Sequence, residues 1–120
     1  MALKVKRIYE AASASDGMRI LVDRLWPRGI AKEKAKIDLW LKAIAPSDAL
    51  RKRFHAKPEK WADFLKAYAT ELASEEAAAA VKDLRRYSRQ GTVTLLYAAR
   101  DEAHNNAVAL KTLLTRRSRS

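Results

Sequence analysis

The stretch Thr92-Val93-Thr94-Leu95-Leu96-Tyr97-Ala98 constrains this chain most. It reads as a buried strand, and it runs directly into Ala99-Arg100-Asp101-Glu102-Ala103-His104-Asn105-Asn106, the opening of a helix. Strands that feed helices in this way build layered α/β proteins. A strand that delivers an arginine, an acid, a histidine and two amides to a helix N-terminus is a common way for such proteins to make an anion or substrate site.

The rest of the pattern agrees with that class. Leu3 to Tyr9 reads as a first strand, and Lys4, Lys6 and Arg7 within it suit a wet face or a sheet edge. Met18 to Asp23 is a second strand, mostly apolar. The link between the two is shorter than the roughly dozen residues that a parallel crossover takes, so these strands are either antiparallel or not adjacent. In the segment from Arg24 to Lys36, Pro27 stops a central strand and Gly29 permits a tight turn, with one helical turn to follow. Ile37 to Ile44 alternates as a third strand does, although the same residues tolerate a helix.

Ser47 is the expected N-cap of a helix through Leu50 and Phe54, and Pro58 opens the next. In that helix Trp61, Phe64, Leu65, Tyr68 and Leu72 share one face. Ser74 caps a further helix that Gly91 ends, and the last helix is expected from about Asp101 to Leu114. The expectation is an α/β chain: one layered domain over residues 1–115, with a small parallel or mixed sheet flanked by helices, and a basic flexible tail at 116–120.

Composition removes several kinds of chemistry. The 120 residues contain no cysteine, which excludes disulfides, thiolate metal sites and cysteine nucleophiles. With His55 and His104 the only histidines, no metal and no cofactor are expected. Gly17, Gly29 and Gly91 lie too far apart for a glycine-rich phosphate loop, and no Gly-x-Ser-x-Gly elbow is present. Residues 1–7 carry charges where a signal peptide has its apolar core, and no run approaches membrane-spanning length, so a cytoplasmic protein without a membrane partner is expected. A formal net charge of +11 favours anionic partners kinetically, without specifying one.

Two strand ends carry the candidate residues. The second strand delivers Asp23, Arg24, Trp26 and Arg28; the last delivers Arg100, Asp101, His104 and Asn105. Guanidinium groups at strand ends suit bidentate recognition of phosphate or carboxylate, so Arg24, Arg28 and Arg100 are the candidate ligand contacts. They compete with a structural role, in which they pair with Asp23, Asp38 or Asp101 to pin the Trp26-Pro27 loop. Asp23 is a candidate base or hydrogen-bond acceptor, although an adjacent arginine would keep it ionised. Asp101 fits the N-cap of the last helix, and His104, in its first turn, is the candidate acid/base. Of Asn105 and Asn106, one can face a ligand while the other caps or meets water. Trp26 could stack on a base or sugar, and packing is the competing role.

Val22-Asp23-Arg24-Leu25-Trp26-Pro27-Arg28-Gly29, Asp38-Leu39-Trp40-Leu41, and Leu95 to Asp101 with His104-Asn105-Asn106-Ala107 resemble the YeaO-like family, a small bacterial group within a larger domain of unknown function. The resemblance covers nearly the whole chain. It implies a cytosolic α/β domain and brings no established activity. The broader family often carries an Asp-Val-Arg segment after its second strand, and Cys-x-Glu with Cys-His-Arg at its last strand and helix. Here Asp23-Arg24 keeps the acid and base in shifted form, Tyr97 stands near the first cysteine position, and His104-Asn105-Asn106 replaces the second motif. Thiol chemistry is therefore not carried over.

The leading functional reading is a site for a phosphorylated or carboxylated molecule, with any catalysis resting on His104 as acid/base and on Asp23. One alternative is a nucleic-acid-binding module using Arg51-Lys52-Arg53, Lys57 and Lys60 on two short helices, together with Arg116, Arg117 and Arg119 of the tail. The other is a non-catalytic interaction protein. Oligomeric state is left open.

Overall fold

The computed structural model describes residues 2–55 and 57–115. The tail expected at 116–120 lies outside them. Four parallel strands, β1 (Leu3–Arg7), β2 (Met18–Leu21), β3 (Leu39–Trp40) and β4 (Val93–Tyr97), form one sheet in the order β1-β4-β2-β3. The helices are α1 (Lys32–Ala35), α2 (Asp48–Phe54), α3 (Trp61–Leu72), α4 (Glu75–Gln90) and α5 (Asn106–Thr115).

β4 is buried along its whole length because it is paired on both sides and covered on both faces. On one side Leu3 to Arg7 align with Val93 to Tyr97; on the other Met18 to Leu21 align with Val93 to Leu96. The choice left open by the short 8–17 link is thereby settled: β1 and β2 are parallel, and β4 separates them. β1 is an edge strand, as its lysines imply.

The two layers on the sheet are unequal. Ile20, Val22, Val93, Leu95 and Tyr97 join residues of α2 to α5 in the larger core, including Phe64, Tyr68, Leu84 and Leu110. With the two-residue period of a strand, Leu21 and Leu96 point the other way. They meet only Ile8, Ala35 and the half-buried Trp26, Ile30, Ile37, Trp40 and Ala98.

Beneath that thinner layer lies a buried ionic cluster. Asp16 is within 2.6 Å of Arg19 and 3.1 Å of Lys6. Arg19 also donates to the Ala35 and Lys36 carbonyls, both at 3.0 Å, and so caps α1 where Lys36 turns left-handed at φ 50°. Gly17 permits the tight junction into β2: at φ +64°, an added Cβ would lie 2.2 Å from the Thr92 carbonyl oxygen.

Two boundaries differ from those expected. The strand expected over 37–44 is reduced to Leu39–Trp40, after which a 3₁₀ turn at Lys42–Ile44 carries Ile44 into the core with zero exposure. The last helix begins at Asn106 rather than near Asp101. Ser47 and Ser74 cap α2 and α4 as expected, accepting from Leu50 N–H and Ala77 N–H. Pro58 opens a 3₁₀ turn, Pro58–Lys60, that leads into α3.

Candidate functional site

The C-terminal ends of the strands open into a cleft of about 970 Å³. Asp23, Arg24, Trp26, Arg28, Arg100, Asp101, His104 and Asn105, all singled out in the sequence, line it. Parallel topology makes this possible, since β2 and β4 are neighbours whose chains leave the sheet at the same end.

Asp23 is the junction of the site. Its Oδ2 accepts the Ala98 N–H at 2.9 Å, and its Oδ1 accepts the Asn106 side-chain amide at 2.8 Å. That amide also donates to the Val22 carbonyl, while the Asp23 carbonyl accepts the Trp40 indole N–H. One residue thus ties together the ends of β2 and β4, the start of α5 and the edge strand. Burial pushes the Asp23 carboxyl up, against the opposing influence of the Asn106 and Ala98 hydrogen bonds and the Arg51 charge. This corrects the sequence expectation of a carboxylate held down by its neighbour: Arg24 is exposed, and its Nε donates to the Pro46 carbonyl at 3.3 Å.

The other ion pairs that would occupy the arginines are also missing. Asp38 accepts the Arg19 N–H. Asp101 accepts the Ala103 and His104 N–H groups, both at 2.9 Å, which hold its carboxyl below the usual range. Among the described residues, the Arg28 and Arg100 side chains have neither an ion pair nor a hydrogen bond, and both face the cleft. Their backbones are nonetheless anchored. The Tyr9 hydroxyl donates to the Arg28 carbonyl, and Arg7 donates to the carbonyls of Ala98 and Ala99, next to Arg100.

The helix start redistributes three roles. Asn105, not Asp101, caps α5: its Oδ1 accepts the Val108 N–H and its amide donates to the Asp101 carbonyl. That engagement, with only 5% exposure, leaves it little to offer a ligand; Asn106 is held by Asp23. Asp101 instead closes the turn before the helix. His104 precedes the first helical turn, with Nδ1 3.2 Å from Asp101 and its ring edge-on to Trp61 at 5.1 Å between centroids. Trp26 packs edge-on against Trp40 and donates to the Ile30 carbonyl, so it supports the loop while bordering the cleft.

The opposite wall of the cleft comes from α2 and α3. Arg51, Lys52 and Lys57, assigned by sequence to a separate basic surface, line this same cleft, as do His55, Phe54 and Trp61. Among the described residues, six lysines and arginines therefore line it against three aspartates, Asp23, Asp48 and Asp101. No local sequence signal places Arg51, Lys52 and Lys57 there, because the approach of α2 depends on how far the chain turns after β3. One face of α3, with Phe64, Leu65 and Tyr68, is buried in the core.

Residues 2–120 match the model of the DUF488-N3i family, described as the inactive DUF488-N3 subclade. The chain is 44% identical to the uncharacterized protein YeaO of Escherichia coli (strain K12), over 92% of this chain and 94% of that protein. It is 38% identical to uncharacterized proteins of Mycobacterium tuberculosis and Mycobacterium bovis, over 96% of this chain and 95% of each relative. No solved structure matches. Among the described residues, no helix is long and apolar enough to cross a membrane.

Proposed function

The chain belongs to the YeaO-like, inactive DUF488-N3 family, and from that premise we propose that it binds a small anionic molecule at the C-terminal ends of its strands without turning it over. One observation carries this reading: Arg24 and Arg28 from the loop after β2 and Arg100 from the connection after β4 line a common cleft and have no carboxylate partner among the described residues. Guanidinium groups presented in this way suit phosphate or carboxylate oxygens. The excess of cations around the cleft favours the same charge.

Binding without turnover is favoured over catalysis on two grounds. The family description is of an inactive subclade, and the chain has no cysteine at the positions where the broader family carries thiols. His104 then serves as a hydrogen-bonding side chain held by Asp101 rather than as an acid/base.

The test is a thermal-shift and calorimetric titration with inorganic phosphate, sugar phosphates and simple carboxylates, with Arg100→Ala alongside. A small anion is expected to stabilise the wild type, and the shift is expected to vanish in a variant that melts normally without ligand. Equal affinity in a folded Arg100→Ala protein would remove that arginine from the site.

A further inference from the structure

The two walls of the cleft differ in kind. On one side the 24–28 loop and the β4–α5 connection present Arg28 and Arg100. On the other, aromatic rings touch in series from α2 across α3, Phe54 edge-on to Phe64 at 5.7 Å and Trp61 stacked on Phe64 at 5.5 Å and 24°, and the series meets the β4–α5 connection where His104 lies edge-on to Trp61. Phe64 is buried in the core, so this series is fixed to the body of the protein and not to a loose loop.

Apolar surface also concentrates at the mouth. Among the described residues, the large apolar side chains left exposed are Tyr9, at 46%, and Leu25, at 65%, and both border this cleft. Exposed apolar groups gathered beside a concave site mark a place where an apolar surface is meant to be covered. A bare phosphate or a small carboxylate would use the arginines and leave Trp61, Tyr9 and Leu25 wet. A ligand that uses both walls needs an anionic group at one end and a flat, largely apolar ring at the other. The volume, about 970 Å³, is ample for such a molecule.

Resting on the anion-site reading above, we propose that the occupant is a nucleoside phosphate, with its phosphate between Arg28 and Arg100 and its base against the Trp61 wall. Base contacts to aromatic side chains are sequence-tolerant and contribute substantially to nucleotide affinity.

The experiment is a set of calorimetric titrations of the wild-type protein at fixed salt with the four nucleoside 5′-monophosphates, the parent nucleosides, ribose 5-phosphate and a single-stranded octanucleotide. At least one monophosphate is expected to bind tenfold or more tighter than both its nucleoside and ribose 5-phosphate. Arg100→Ala should reduce that monophosphate to the level of the nucleoside, and Trp61→Leu should reduce it to that of ribose 5-phosphate.

The wild-type comparison stands even if a variant fails to fold. If ribose 5-phosphate binds as tightly as every monophosphate, the ring assignment is wrong while the anion site survives. No binding by any phosphate compound would overturn the nucleotide assignment, and the anion site falls with it only if the simple carboxylates of the preceding titration also fail to bind. Binding of the octanucleotide alone, weakening steeply with salt, would replace the nucleotide with a polymer.

Discussion

Asp16 and Asp48 each stand three residues before an arginine, and each lies within ion-pair distance of it, yet the two pairs differ in consequence. Asp16 and Arg19 have side chains only 6% exposed, whereas those of Asp48 and Arg51 are 65% and 52% exposed. Removing Asp16 leaves a buried guanidinium uncompensated, so Asp16→Ala should lower unfolding stability by about 3–5 kcal/mol. Asp48→Ala should change it by roughly 0.5 kcal/mol or less. Urea unfolding of both variants checks the contrast. The same residue sets an acid limit. Burial alone would raise the Asp16 pKa, but the Ser13 N–H, Lys6 and Arg19 outweigh it and hold it at about 2, against 3.8 for the free group. A depressed carboxyl stabilises the fold fully above its unfolded pKa, and that contribution fades as pH falls from near 4 through about 2. The wild type should therefore lose more stability than Asp16→Ala between pH 5 and pH 2.5 in the same assay. None of this was legible from the Asp-x-x-Arg spacing, which the exposed pair shares; only the stacking of α1 on the sheet distinguishes them.

At the scale of elements, the sequence is readable wherever a local rule has one solution. Ser47 and Ser74 each precede a helix with no competing cap nearby, and both cap as expected. The start of α5 has two solutions, since Asp101 and Asn105 each have a backbone N–H three residues on to accept. Tertiary structure decides between them: Asn106 reaches the Val22 carbonyl and Asp23, which fixes the helix start and leaves Asn105 as its cap. Asn105→Ala should cost about 1 kcal/mol, the usual worth of a cap, and Asp101→Ala, in an exposed turn, distinctly less. Denaturant midpoints at constant m-value measure both. β3 is shorter than its alternation implies for a related reason. Alternation from Ile37 to Ile44 satisfies a strand, but β3 is an edge pairing with β2 alone, and Ile44 gains full burial only by leaving the sheet.

At the scale of the whole molecule, the buried ionic cluster and the proposed anion site lie at opposite ends of the sheet. Asp16 and Arg19 sit where β2 and β4 begin, and Asp23 and Arg100 where they leave. Six residues, Gly17 to Val22, separate Asp16 from Asp23, and they run mostly as extended chain, a span of about 20 Å at strand rise. The parallel order gathers the strand ends, which is why the strand-end residues were legible as a group. The wall from α2 was not, because its approach to the cleft depends on how far the chain turns after β3. This separation should make the cluster and the proposed site thermodynamically independent. Sites more than about 10 Å apart with no shared partner combine additively to within roughly 0.5 kcal/mol. Asp16→Ala, measured well below its melting temperature, should therefore bind a stabilising anion with wild-type affinity, while Arg100→Ala should melt like the wild type in its absence. The double variant should show both losses undiminished, in calorimetric affinity and melting temperature. A coupling of 1 kcal/mol or more would mean that the ionic cluster beneath the sheet shapes the cleft above its far end, and that ligand occupancy is communicated along β2 and β4.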